Sequence, residues 1–383
     1  MDNLAHSLAG LAAAKAGLEG LSPGTTTLCI FAANAPDADV VVLLLSDRWS
    51  FLHYHRGITH SIIGTLILGL TLPLIFHGID RVVSRLRGRR HRTIFKGLLI
   101  ASLLVSATHP LMDWTNNYGV RLLLPWSSQW FYGDLVFIVD PFIWLVLGGA
   151  GFLLTSKAKW QIGLWLLPTL VLTYIVLTIG PERGMTDAFA LRAFWVAALT
   201  ILVISSKLGV AKRWEHRIAI AALVAVVLYW GGLAFMHSLA VRETRLAAAA
   251  IASQNGESVT DLAAMPTLAN PFQWQCVVET ERAAYRFDLS LLKSTRDYSS
   301  LVRHERADIV SSEIVTRAEQ DWRAQIFLGF ARFPVVRVAD PDCVTQTLVQ
   351  FADLRYTEPG KSRGTFTLDL PVDCPTDKSQ QAR

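Results

Sequence analysis

Long apolar runs separated by short charged turns dominate the first two thirds of the chain. Ile58–Gly78, Gly97–Asp113, Leu135–Thr155, Trp160–Gly180, Leu191–Ser206 and Ile218–His237 are each long enough to predict a membrane-crossing helix, since a hydrocarbon core of about 30 Å takes roughly 17 to 25 helical residues. Ahead of them, Leu4–Leu18 reads as a helix, and the stretch LCIFAANAPDADVVVLLL follows. A single crossing helix there would put Asp37 and Asp39 at mid-bilayer, each at a cost of about 2.5 to 3.5 kcal/mol. Pro36 would also interrupt it. The expectation is therefore a re-entrant pair of helices whose break lines a protein cavity.

After His237 the periodicity changes. VRETRLAAAAIASQ predicts an amphipathic helix, SSEIVTRAEQDWRAQIFLGFA has helical spacing, and WQCVVETERAAYRFDLSLL, RFPVVRV, TQTLVQFADLRY and GTFTLDL alternate like half-buried strands. The predicted fold class is an all-α polytopic membrane bundle, with about six transmembrane helices plus the N-terminal re-entrant helical pair, followed by a C-terminal soluble α+β domain. The expected domains are 1–237 and 238–383.

Composition agrees with a membrane protein: 52% hydrophobic, 17% charged, mean hydropathy +0.35. The net charge of +5 matters less than where it lies. RVVSRLRGRRHRTIFK, holding Arg81, Arg85, Arg87, Arg89, Arg90, Arg92 and Lys96, predicts a cytoplasmic loop by the positive-inside bias. Alternation then puts Lys157, Lys159, Lys207, Lys212, Arg213 and Arg217 inside too, and the C-terminal domain outside. The basic loop is explained by topology and contact with anionic membrane lipid, so no nucleic-acid partner is expected. No cleavable signal peptide is evident. Cys29, Cys276, Cys343 and Cys374 show no C-x-x-C spacing, and a disulfide among the last three is left open. Walker, G-x-S-x-G and G-x-G-x-x-G motifs are absent.

Ionisable residues within spans read by default as functional. His60 starts the first span, His109 and Asp113 end the second, and Asp140 lies early in the third, all toward the outer face. His109 and Asp113, four apart, share one helix face. His55 and His60 flank Gly57, Asp37 and Asp39 lie on the irregular APDADV segment, and His6 lies early in the first helix. The predicted ligands of one or two divalent ions are His6, Asp37, Asp39, His55, His60, His109 and Asp113. Mixed nitrogen and carboxylate donors suit zinc first, with manganese or iron next.

MDNLAHSLAGLAAAKAGL, AANAPDADV, HRGITHS and HPLMDWTNNYGVRLLLPW, in that order within about the first 145 residues, resemble the YdjM-like family of bacterial inner-membrane proteins, described as membrane-bound metal-dependent hydrolases. That family is similar at a distance to zinc-dependent phospholipase C and the S1/P1-type nucleases, whose metal clusters use a His-x-x-x-Asp pair like His109 and Asp113. The resemblance implies a helical catalytic core and hydrolysis of a phosphoester at the inner membrane. The chain differs from those enzymes in lacking a processed N-terminal tryptophan whose amine is a ligand.

On this reading Asp39 or Asp113 serves as general base, Arg56 and Arg121 hold a substrate phosphate, and Asp140 orients a ligand histidine. The expected substrate is an amphiphilic phosphoester. The competing readings are a metal that only staples the helices, and an ion or proton transporter, which would need polar groups through the inner half of the bundle.

Overall fold

The computed structural model describes residues 1–178, 188–293, 300–306, 313–340, 345–361 and 366–374. It falls into two compact units. One holds Met1–Asp39, Arg56–Phe235 and Pro266–Pro271, the other Val40–His55, Met236–Met265 and the remainder from Phe272.

The first unit is helical. α1 (Asn3–Lys15) is capped by the Asp2 carboxylate, which accepts from the Ala5 N–H. After a 3-10 turn (Leu18–Leu21) comes α2 (Thr25–Asn34), which gives way to a 3-10 stretch (Ala35–Val40) at Pro36, a residue with no N–H to continue the α ladder. α3 (Val41–Leu45) and α4 (Arg48–Tyr54) follow and belong to the second unit. The first unit resumes with a 3-10 turn (Ile58–His60), α5 (Ile62–Leu86), α6 (Phe95–Trp114), α7 (Pro141–Thr155), α8 (Lys159–Thr178) and α9 (Ala188–Lys207). α10 (Val210–Trp214) leads to α11 (His216–Asn255), a 40-residue helix.

Among the described residues five segments are long and apolar enough to cross a membrane: Thr25–Leu45, Ile62–Leu86, Phe95–Trp114, Lys159–Thr178 and His216–Asn255. The expected span from Leu135 shortens to the 15 residues of α7, because its helix starts only at Pro141, with Asp140 as N-cap. The segment Thr25–Leu45, expected to break and re-enter, is helical along its length, its middle turned 3-10. Large apolar side chains point outward along these helices, among them Leu66 and Leu70 on α5, Leu167 and Leu170 on α8, and Val227 and Leu228 on α11. Surfaces of that kind are stable against hydrocarbon, not water. The connection between α5 and α6 is held by Asp80, whose carboxylate accepts from the N–H groups of Arg92 and Thr93 and from the Thr93 hydroxyl.

Small residues let the helices around the N-terminus approach closely, the usual means of packing apolar helices whose environment is itself apolar. A Cβ placed on Gly10 of α1 would lie 2.6 Å from the Cys29 carbonyl oxygen and 2.9 Å from Ala33 Cβ on α2. One placed on Gly97 of α6 would lie 2.2 Å from the Leu21 carbonyl oxygen. Ala14, Cys29, Ala32, Ala33, Ala101 and Val105 form the buried cluster these contacts enclose.

The second unit is mixed α and β. β1 (Val259–Thr267), β2 (Asn270–Thr280), β3 (Ala283–Ser290) and β4 (Val302–Glu305) form one sheet in that order. α12 (Glu313–Glu319) and α13 (Trp322–Phe330) precede a second sheet of β5 (Pro334–Val338), β6 (Gln346–Asp353) and β7 (Thr367–Asp373), in which β6 pairs antiparallel with β5 and with β7, as β3 does with β2 and β4 in the first sheet. Alternation along β2 sorts its side chains between two cores. Trp274, Cys276 and Val278 pack with Ala240, Ala247 and Ile251 from the C-terminal part of α11, whereas Val277 packs with Phe333, Val335 and Leu354. The helical run expected over 311–331 is two helices, because Asp321 caps α13 by accepting from the Arg323 N–H. β1 was not foreseen, its VTDLAAMPT offering few β-branched residues. The strand expected after Gln346 is β6, and the one in GTFTLDL is β7, whose first expected residues lie outside the described ones. The amphipathic helix expected after His237 is no separate element but the continuation of α11.

Cys29 and Cys276 are free and buried, Cys374 is in a disulfide, and Cys343 lies outside the described residues.

Gly10→Ala forces backbone apart and should destabilise the helical unit by about 1 to 3 kcal/mol; thermal unfolding in detergent should show a lower midpoint, and an unchanged or raised one would refute this packing. Burial pushes the Cys276 thiol up to about 12, so it stays protonated at pH 8, where a thiolate is needed for alkylation. Mass spectrometry after iodoacetamide treatment at pH 8 should find Cys276 unmodified in the folded protein and modified in denaturant; alkylation at equal rates in both would contradict it.

Candidate metal centre

Asp37, His60, His109 and Asp113 meet in the first unit, each offering one donor atom, and these atoms all lie within 4.8 Å of one another. Three elements supply them. The break after α2 turns Asp37 inward, the 3-10 turn before α5 presents His60, and the last two turns of α6 present His109 and Asp113 on one face. His60, His109 and Asp113 are fully buried, while the Asp37 side chain keeps 11% exposure.

The hydrogen bonds behind the histidines settle which way their lone pairs face. Helix α2 ends at Asn34, so the Ala33 carbonyl is one of its orphaned terminal acceptors. His109 Nδ1 meets it at 2.6 Å, and since a carbonyl only accepts, Nδ1 carries the proton. His60 Nδ1 lies 3.4 Å from Asp39 Oδ2 and 3.1 Å from Thr59 Oγ1, oxygens that can accept from a proton on Nδ1 when Nε2 faces a cation. Both Nε2 atoms then direct lone pairs at one point, 3.1 Å apart.

Carboxylate oxygens complete the ring. Asp37 Oδ1 is 3.2 Å from His60 Nε2 and 3.5 Å from His109 Nε2. Asp113 Oδ2 is 3.3 Å from the first and 3.4 Å from the second, and accepts no hydrogen bond among the described residues. Four acceptors facing one another in a buried space repel unless a positive charge lies among them. A cation bound at about 2.0 to 2.1 Å by four donors at the corners of a tetrahedron spaces those donors about 3.3 Å apart. The donor set therefore fits a divalent metal ion.

Asp113 is the pivot. While Oδ2 faces the two histidines, Oδ1 accepts from Arg56 Nη2 at 2.9 Å and pairs with the α-amino group of Met1. His6 Nε2 lies 3.3 Å from the same oxygen, and the His6 ring stacks on His109 with centroids 3.8 Å apart. An α-amino group was not expected here, yet it is buried against the cluster. His6 stands beside the four-donor set with neither nitrogen in a hydrogen bond among the described residues.

The other residues expected at the site have the following surroundings. Arg56 is drawn inward. It is 3% exposed, its Nη1 donates to Asn116 Oδ1 and the Gly119 carbonyl at 3.0 Å, and its guanidinium lies over the Tyr118 ring at 4.6 Å. Its φ of 51° is a left-handed conformation that non-glycine residues adopt at a cost of about 1 kcal/mol or more. Asp39 sits at the Nδ1 side of His60 and accepts from the Arg56 N–H at 3.0 Å, so it orients a donor and does not join this donor set. Asp140 reaches no histidine: it caps α7 through the N–H groups of Phe142 and Ile143, and accepts from the Tyr229 hydroxyl at 2.9 Å. Arg121 lies over the Trp130 ring at 4.7 Å. His55 belongs to the second unit, where its ring stacks on Phe51. The roles of Asn116, Tyr118 and Gly119 around Arg56 were not foreseen, although a polar string directly after an intramembrane Asp is where its cationic partner would need anchoring.

Four donors drawn from the APDADV, HRGITHS and HPLMDW strings match the order in which the resemblance placed them. Residues 1–183 match the family described as YdjM inner membrane protein. The match thus runs beyond the first 145 residues, over α7 and α8. Over 113 residues the chain is 30% identical to the uncharacterized protein YfhP of Bacillus subtilis (strain 168), a stretch covering 30% of this chain and 31% of that protein. The chain thus spans about a third of the length of that relative. No solved structure matches.

Elemental analysis of the purified protein should find a divalent metal. His60→Ala and His109→Ala should lose it, Asp39→Asn should weaken its retention about 10- to 100-fold, and His77→Ala, whose imidazole instead meets Thr93 Oγ1, should keep it. Metal content unchanged in both of the first two variants would remove the assignment.

Proposed function

We propose that the YdjM region is a metal-dependent hydrolase that cleaves a phosphoester at the extracytoplasmic face of the inner membrane, with zinc as its metal. The observation that supports this best is the facing set of four acceptors made by Asp37, His60, His109 and Asp113, three of them buried, with the two imidazole Nε2 atoms 3.1 Å apart and each 3.2 to 3.5 Å from both carboxylates. When bound, a divalent ion supplies Lewis acidity and lowers the pKa of water from 15.7 to about 7.

The chain's own residues do the rest. His60 and His109 present Nε2 because Asp39 and the Ala33 carbonyl hold their other nitrogens. Arg56 fixes the Asp113 carboxylate, so Oδ2 stays turned to the histidines. Asp37 is the partly exposed member, with Oδ2 accepting from Asn3 Nδ2 at 3.0 Å. Substrate and water therefore approach on its side, and Asp37 is placed to take a proton from an attacking water.

The sidedness follows from charge. The arginine-rich connection Arg81–Lys96 joins the C-terminus of α5 to the N-terminus of α6 and marks the cytoplasmic ends. His60 precedes α5 and His109 lies near the end of α6, so both belong to the opposite ends. The C-terminal α and β elements follow α11 and are assigned to the same outer side.

The test is turnover of bis-p-nitrophenyl phosphate by the purified, metal-loaded protein. Hydrolysis should disappear with a chelator, return on adding the metal, and fall at least 100-fold in Asp113→Asn, in line with the loss of a group that organises the reacting centre. A wild-type protein that retains its metal but gives no hydrolysis of this or other phosphoesters would make the ion a staple and refute the proposal.

A further inference from the structure

A second feature of the helical unit is a cavity of about 200 Å³ between α1, α7, α8 and α9. Its walls are apolar, with Leu4 and Leu8 on one side and Trp144, Trp165, Leu172 and Leu199 on the others. The polar atoms that border it are all turned to protein partners. Trp144 Nε1 donates to the Asp2 carboxylate, Trp165 Nε1 to Thr155, Trp195 Nε1 to Thr173, and the Thr169 hydroxyl to the Trp165 carbonyl. Nothing in that lining asks for a hydrogen bond, so whatever fills it is hydrocarbon along its length.

Two glycines keep the space open. A Cβ on Gly148 would meet only Leu8 at 3.6 Å, and one on Gly149 only Leu202 at 3.5 Å, both ordinary contacts. Neither glycine is needed to let backbones touch, unlike Gly10. Their effect is to leave the α7 wall without side chains where the cavity lies.

The cavity shares a wall with the polar cluster. On α1, His6 stacks on His109 while Leu4 and Leu8, two residues to either side, line the cavity. The Trp144 indole is bonded to Asp2, the neighbour of the residue whose α-amino group pairs with Asp113. One helix thus separates a site for a charged head from a slot for an apolar tail, within a unit whose helices are suited to hydrocarbon surroundings. We infer that this cavity seats an acyl chain of a membrane phospholipid whose phosphoester lies at the cluster. The inference rests on the hydrolase reading for the head group, but the seating of the chain stands on the cavity alone.

The experiment places the full-length protein in nanodiscs containing a phospholipid with a photoactivatable diazirine on one acyl chain, and maps the adducts by mass spectrometry. Label is expected on Leu8 or Trp144, which are 5% and 7% exposed and out of reach of lipid on the outer surface. Gly149→Leu, which fills the cavity, should lower that label at least fivefold while keeping label on outward residues such as Leu167 and keeping the bound metal; Leu199→Trp should act alike if the glycine variant does not fold. No label on Leu8 or Trp144 in the wild type, or label undiminished in a folded, filled variant, overturns the inference. In parallel, the wild type should favour a long-chain over a short-chain phosphoester at least tenfold in kcat/KM, and Gly149→Leu should erase that preference while turning over bis-p-nitrophenyl phosphate normally. Hydrolysis with no chain-length preference counts against the acyl slot alone. Specific labelling without any hydrolysis counts against the hydrolase reading and leaves the slot in place.

Discussion

The structure of the helical unit depends on burying one carboxylate, Asp113, completely. An ionised carboxylate taken out of water loses hydration worth several kcal/mol even after relaxation, and holds only if partners replace it on every side. Here the two oxygens divide the work. Oδ1 takes the Arg56 guanidinium, the Met1 α-amino group and the edge of His6, while Oδ2 is left to the two facing imidazoles. Each partner then needs support of its own, which is why a turn of otherwise unremarkable sequence, Asn116 to Gly119, closes over Arg56. Arg56 in turn accepts a left-handed backbone to reach it.

Helix packing is what makes those partners reachable. Pro36 ends α2 early and frees the Ala33 carbonyl, and only a close approach of α2 to α6 lets His109 use it. The closeness comes from alanine, glycine and cysteine at the contacts, not from large side chains interlocking. The same small residues that make α1 and α2 look plain in sequence set the tautomer of a histidine 76 residues away in the chain. Stability and chemistry are coupled at this point, since any change that pushes α2 outward also takes away the acceptor that fixes His109.

What sequence could show follows from range. His109 and Asp113 were legible because a spacing of four is a property of one helix, and His60 and Asp37 because an ionisable group in an apolar run demands a reason. Helix content and the strand alternation of the C-terminal region were legible from local period. Roles that depend on pairing across the fold were not. Arg56 looked like a phosphate clamp because its sequence neighbours do not reveal that Asp113 lies 57 positions on and within 2.9 Å. Asp140 was read as lying inside a span and orienting a histidine, whereas it caps a helix that starts at Pro141. Asp39 was grouped with Asp37 by proximity, yet the 3-10 path separates them to opposite nitrogens of one imidazole.

A set of four protein donors is also how structural metal sites are closed, whereas catalytic ones keep a position for water. The weighting between these comes from Asp37. Three donors are locked: His109 by a carbonyl, His60 by Asp39, and Asp113 by Arg56. Asp37 sits on a 3-10 stretch, keeps partial exposure, and is tied at its other oxygen to a side chain that is itself exposed to solvent, Asn3. A site meant only to staple helices gains nothing from one partly exposed carboxylate, and sulfur donors would hold the ion more firmly. A centre that must admit water gains from a fourth donor that can withdraw. Transport is a weaker fit, because the polar groups on α6 dwindle inward from Asp113 and His109 to the hydroxyls of Ser106 and Ser102 and end at the buried Leu98, and a conducting path needs ionisable groups to continue where these stop.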